Sequence, residues 1–275
     1  MNTFYIAWQD PEERRWFPVG RLERRGPSPV EAAAGDGAPA RADATFVFTY
    51  TEGALEAQRE GCFSPLPAFP KLRERYTSPE LFPLFANRML SEKRPEYERF
   101  VEWTSVPQSE NDPLALLARS GGERATDTLE VFPQPEKKAD GTYCVHFFAH
   151  GLRHEPPPAV ERAETLAPGD PLLMMGDFQN PKDPRAIALR TAEEAPRDKH
   201  LMGYLPRYLT GDVRHLLTGE DTAAAARVQV ERVNAPPAPV HFRLLCRLEM
   251  QWAADFAPFD TDAYQPLETK RTARV

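Results

Sequence analysis

Proline occurs 29 times in this chain of 275 residues, and much of it falls between stretches with strand-like or helix-like patterning. Each proline fixes one backbone dihedral and removes one hydrogen-bond donor, so the expected product is many short strands joined by long turns. A hydrophobic content of 41% supplies enough apolar surface for real cores and argues against wholesale disorder. The mass of 31.1 kDa suits one large domain or two ordinary ones. No apolar run approaches the roughly 18 residues a membrane helix needs. The N-terminus lacks the charged-then-apolar order of a signal peptide, so a cytoplasmic protein without membrane contact is expected.

Three cysteines, Cys62, Cys144 and Cys246, stand far apart and form no CxxC or Cys/His cluster. A structural zinc site is therefore not expected, and reduced, mostly buried thiols are. The formal net charge is -7 with a pI near 5.5, which argues against a non-specific nucleic-acid coat. Any nucleic-acid site must be local.

Along the chain, Phe4–Trp8 and Trp16–Leu22 read as two strands around a polar turn. Arg24 to Asp43, rich in Ala, Gly and Pro, reads as a flexible connector. Thr45–Tyr50 is a third strand, and Gly53–Glu60 a short helix ended by Gly61. Further helices are expected at Ser78–Phe85, with Ser78 as N-cap and Pro79 first, at Arg94–Trp103, and at Asp112–Gly121, capped by Asp112 and stopped at Gly121. Gln134–Gly141 is polar and turn-rich, and the boundary falls there: a first domain over 1–133, a second over 142–252, and a loosely attached tail over 253–275. In the second part, strands are expected at Tyr143–Phe148, Arg185–Leu189, Ala223–Val233 and Val240–Trp252, with a helix at Gly211–Leu217.

Three motifs follow in one order within the second part. They are Gly151-Leu152-Arg153-His154 after a strand, the run Gly176-Asp177-Phe178-Gln179-Asn180-Pro181-Lys182-Asp183-Pro184-Arg185-Ala186-Ile187, and Gly203-Tyr204-Leu205-Pro206-Arg207-Tyr208-Leu209. This layout, over roughly Tyr143 to Trp252, resembles a HIRAN domain, a small β module found at the front of some DNA-remodelling helicases and in many bacterial proteins. The resemblance implies a compact, mostly β barrel of the OB/SH3 kind with one or two short helices. It also implies that Asn180 to Pro184 lies at the mouth of a pocket taking the free 3′ end of single-stranded DNA, with Asp183 meeting the terminal hydroxyl. A carboxylate accepts a hydrogen bond from a hydroxyl but repels phosphate, so such a pocket would disfavour a strand that continues.

Each residue has a plainer use as well. Asn and Asp beside prolines build tight turns on their own. Arg153 and Arg207 suit phosphate contacts or surface ion pairs. His154, Phe178 and Tyr204 suit base stacking or half-buried barrel positions, and for Phe178 the buried position is the expectation. The chain departs from the eukaryotic members of the family: His154 and Lys182 stand where those carry tyrosines, and Tyr204 where they carry a histidine. Glu155-Pro156-Pro157-Pro158 lengthens the loop beside the pocket.

The first part resembles the N-terminal subdomain of HipA-type toxin kinases in Val19-Gly20-Arg21-Leu22, Phe46–Tyr50, Phe63-Ser64-Pro65-Leu66 and Asp112–Gly122. It lacks the kinase core, so phosphotransfer is not carried over. His150, His154, Asp177 and Asp183 invite a metal-hydrolase reading, but their spacing matches no ligand motif, and no Ser or Cys nucleophile sits in a strained Gly-rich turn. The expectation is an α+β domain followed by a HIRAN-like β-barrel, with no catalysis, cofactor or metal. It would recognise single-stranded DNA, at its 3′ end, through Arg153, His154, Asn180, Lys182, Asp183, Tyr204 and Arg207. The first domain would dock a protein partner. The alternative is an antitoxin-like or adaptor protein whose main ligand is another protein.

Overall fold

The computed structural model describes residues 2–26, 44–107, 112–122, 127–193, 195 and 198–267. Most of the expected connector, 27–43, lies outside them. The chain divides into two compact units: 1–101 with 106–134 and 260–275, and 102–105 with 135–259.

The first unit is built on a five-stranded antiparallel sheet. Its strands are β1 (Thr3–Gln9), β2 (Trp16–Arg25), β3 (Thr45–Tyr50), β4 (Tyr76–Ser78) and β5 (Leu129–Pro133), in the order β4-β3-β2-β1-β5. Aromatic and β-branched residues favour these strands, and their rings form the core. The Phe48 and Phe69 rings stack with centroids 4.0 Å apart. Gly20 gives Phe48 its room, because a Cβ there would lie 2.5 Å from the ring. The Tyr50 hydroxyl donates to Phe69 O and accepts from Leu66 N, both at 2.7 Å, and so pins the proline-rich loop to the core. A helix over Tyr97–Thr104 runs across the division at 101/102, and helices within the unit run over Glu52–Glu60, Pro83–Ala86 and Pro113–Ser120. Asp112 caps the last by accepting from Leu114 N and Ala115 N, and Gly121 ends it in the left-handed region at φ 73°.

Three expectations need correction here. Ser78-Pro79-Glu80 does not start a helix: Ser78 pairs with Phe46 as the end of β4, its hydroxyl accepts from Glu80 N, and helix begins only at Pro83. Arg24 and Arg25 belong to β2, not to the connector, and Arg24 is buried against Asp112 at 2.9 Å. The tail is not loose over its described part. Leu267 N donates to Tyr50 O at 2.8 Å and Glu52 N to Gln265 O at 2.9 Å, which ties 260–267 to the first unit.

The second unit is a six-stranded antiparallel sheet of β6 (Thr142–Phe148), β7 (Pro171–Gly176), β8 (Ile187–Thr191), β9 (Leu201–Tyr204), β10 (Arg227–Val233) and β11 (Leu244–Gln251), in the order β6-β11-β10-β7-β8-β9. It curls into a half-barrel whose two edges meet in one bridge, His150 with Tyr204. Tyr143, Val145 and Phe147 of β6 face the core, while Cys144 and His146 alternate to the outer face. Helices run over Pro157–Glu164, Arg207–Leu216 and Glu220–Ala225, more than the one or two expected. The first arises from the inserted prolines, since Pro157 and Pro158 occupy first-turn positions where no amide is needed. Val240–Phe242 is a 3₁₀ turn, not the start of the closing strand. Among the described residues no helix is long and apolar enough to cross a membrane.

Candidate functional site

The loop between β7 and β8 is held by its own short polar side chains. Asn180 Oδ1 accepts from Lys182 N at 2.9 Å and Asp183 N at 3.2 Å, and Asp183 Oδ1 accepts from Arg185 N at 2.9 Å. Asp177 N donates to Ala186 O and Ala186 N to Asp183 O, each at 2.9 Å, closing the loop at its base. These are the tight turns expected of Asn and Asp among prolines.

The edge strand β9 then brings Tyr204 onto the loop. Its Oη donates to Asp177 Oδ2 at 3.1 Å, and Asn180 Nδ2 donates to the same oxygen at 3.1 Å. Burial, and then the bond to the Asp177 carboxylate, push the Tyr204 phenol above its ordinary pKa, so it remains a donor at neutral pH. Gly203 makes the approach possible. At φ 104°, a Cβ on it would lie 2.3 Å from His150 O, the carbonyl that accepts from Tyr204 N at 2.8 Å. Gly151, at φ 84°, lies under the Tyr204 ring.

The third element is the helix Arg207–Leu216. Arg207 at its first position reaches Asp183 Oδ2 through Nε at 3.0 Å and Lys182 O through Nη2 at 3.1 Å. Both Asp183 oxygens are thus engaged, and its side chain is only 13% exposed. Arg207, expected as a phosphate contact, serves first as a strut between helix and loop. Arg153 and His154 stand exposed on the 3₁₀ turn Leu152–His154, with Arg153 Nε donating to His154 Nε2 at 3.0 Å.

Of the seven expected residues, Asn180, Lys182, Asp183 and Arg207 are therefore joined by direct bonds, and Tyr204 joins them through Asp177. Arg153 and His154 join them through the backbone of the His150–Tyr204 bridge. Lys182 and Arg185 lie exposed on the loop, so with Arg153 the rim carries three exposed cations.

Sequence reasoning missed two features. Asp177, weighed only as a metal ligand, is the shared acceptor for Tyr204 and Asn180. Phe178 is 70% exposed, not half-buried, with the Arg214 guanidinium 5.4 Å from its ring centre. The loop leaves the sheet at Gly176, so Phe178 no longer follows the strand's alternation. Gly203, within a strand beside an aromatic residue, was the one signal of close backbone approach. Among the described residues no group of three or more His, Cys, Asp or Glu could hold a metal ion.

Residues 142–253 match the family model of the HIRAN domain, so the second unit carries a HIRAN domain. No curated protein matches the chain. The domain is similar to a protein from Lactobacillus plantarum known by crystal structure, at 20% identity and a TM-score of 0.28, covering 40% of this chain and 97% of that one. It is also similar to the crystal structure of the HIRAN domain of human HLTF, at 17% identity and a TM-score of 0.26, covering 40% of this chain and 73% of that one.

Proposed function

We propose that the HIRAN domain of this chain binds single-stranded DNA at its free 3′ end, without catalysis, in the cytoplasm. The observation that carries this reading is the cluster of Tyr204, Asp177, Asn180, Asp183 and Arg207, joined by direct bonds and rimmed by exposed Arg153, Lys182 and Arg185. The cations meet backbone phosphates, which fix position and carry no information about the end. Asp183 keeps unused lone pairs on both oxygens and accepts from a terminal hydroxyl. His154 and Tyr204 offer faces for the last bases. Supporting the non-catalytic reading, Asp177 and Asp183 spend their carboxylates inside the fold. The first unit acts as a protein-docking module, a role suggested by its HipA-like motifs.

The Arg207 charge beside Asp183 softens the repulsion between that carboxylate and a terminal phosphate. The preference for a free end is therefore about tenfold, near the size of one charge-assisted hydrogen bond, rather than a hundredfold. Fluorescence anisotropy with one short oligonucleotide, ending in 3′-hydroxyl or 3′-phosphate, measures it. Asp183→Asn should shrink the preference, and Arg153→Ala should weaken both ligands alike. Equal affinity for the two ends in the unmodified protein ends the end-recognition reading.

A further inference from the structure

A second cluster of chemically active side chains stands on the outer face of the curled sheet. β6 places Cys144 and His146 two residues apart, so both side chains point to that face. Cys144 Sγ lies 3.9 Å from His146 Nε2. The other ring nitrogen, Nδ1, is bonded to Glu231 Oε2. Glu231 reaches it because it is the extra residue of a β-bulge. Val230 pairs with Cys246 and Arg232 with Leu245, so the register shifts at Glu231 and the bulge re-aims its side chain. Lys138 also acts on the Cys144 sulfur, its positive charge favouring the thiolate. Lys138 is held there by its own amide, which donates to Thr142 O at 3.0 Å, and by the bridge between Lys137 and Tyr143.

We propose that Cys144 is a nucleophilic thiol, prepared by His146, Glu231 and Lys138, and that it is a modification site for small disulfides. Glu231 orients the imidazole, His146 Nε2 takes the thiol proton, and Lys138 stabilises the sulfur anion that remains. That anion attacks one sulfur of RS–SR. A Cys144–S bond forms as the old S–S bond breaks, and the departing RS⁻ takes a proton, so thiol plus disulfide gives mixed disulfide plus thiol with no further oxidant. Burial pushes the Cys144 thiol up, but His146 and Lys138 outweigh it and hold the thiol below its ordinary pKa. Glu249, paired with Cys144 across the sheet, and Asp140 act on Lys138, and Arg247 is the cross-strand partner of His146. The chain contains its own comparators. Cys246 is fully buried and its thiol is pushed up, and Cys62 is exposed beside the Asp10 carboxylate at 3.9 Å.

The test uses the full chain, oxidised glutathione and, separately, iodoacetamide, with each cysteine followed by peptide mass spectrometry. Near about pH 6.5, Cys144 should be alkylated about tenfold faster than Cys62 and should carry most of the mixed disulfide. Glu231→Gln, His146→Gln and Lys138→Met should each slow Cys144 several-fold there, with the differences closing near about pH 9.5, where the thiolate forms unaided. Labelling of Cys246 marks any variant that has unfolded, and the decision then rests on the remaining variants. Cys144 reacting no faster than Cys62, or at an unchanged rate in the folded variants, overturns the proposal.

Discussion

The core of the first unit and the loop cluster of the second are ordered by opposite means. In the first, rings do the ordering. Phe48 stacks on Phe69, meets Tyr50 edge-on at 5.0 Å, and has no exposed surface. In the second, the cluster is fixed by short polar side chains bonding backbone and one another, on glycine backbone that admits close approach. Apolar packing depends on volume, so it tolerates change of detail but not loss of mass. Polar order depends on direction, and each bond can be moved separately.

The largest effect should come from removing mass. Phe48→Ala leaves a cavity among Phe69, Phe85 and Tyr50, and should cost about 3–5 kcal/mol in urea unfolding. A loss below about 1 kcal/mol would mean that the ring cluster refills the space, and that the contrast between volume and direction is false for this protein.

This difference also explains what the sequence disclosed. Thr45–Tyr50, the β6 strand and the capped helix at Pro113–Ser120 were legible because alternation, Asp112 and Gly121 are local signals. The site residues came from motif order, and motif order says nothing of who bonds whom. That Arg207 spends its charge on Asp183, or that Asp177 serves both Tyr204 and Asn180, depends on residues up to 27 positions apart meeting across a curled sheet. Ser78-Pro79 misled because a cap signature also fits a strand end followed by a turn. The tail misled because nothing in 253–267 shows periodicity, yet Phe256, Phe259 and Leu267 are all buried.

A smaller effect tests whether polar order in the second unit extends beyond the loop. Asp212, on the helix Arg207–Leu216, is buried. Its Oδ1 accepts from Phe259 N at 3.1 Å, and its Oδ2 is buried without a bond. Burial raises its pKa to about 7, against the backbone bond that lowers it. The folded protein therefore holds a proton on Asp212 that the unfolded chain releases above its ordinary value of 3.8. The contribution is fully present below that value and is lost as pH rises through about 7. Chemical denaturation from about pH 4 to pH 8 should show a decline of about 2–4 kcal/mol that Asp212→Asn lacks. Parallel pH profiles for the two proteins would place the charge in contact with water.

The smallest effect concerns the rim, where direction gives way to simple charge. Arg207 is already paired, so the exposed cations are Arg153, Lys182 and Arg185. At about 0.7 counterions per phosphate contact on a single strand, three contacts give a slope of log affinity against log salt near -2. Lys182→Ala should lower that slope by about 0.7 and the affinity at about 0.1 M salt by roughly fivefold, near 1 kcal/mol. Its effect on stability should stay within about 0.5 kcal/mol, because the side chain is exposed and only the Lys182 backbone takes part in the loop. A wild-type slope steeper than about -6 would reveal a long basic track in place of a rim. An unchanged slope in Lys182→Ala would remove this residue from the phosphate path. Because Lys182 stands between Asn180 and Asp183, that result would turn the strand away from the loop and toward the face of Arg153.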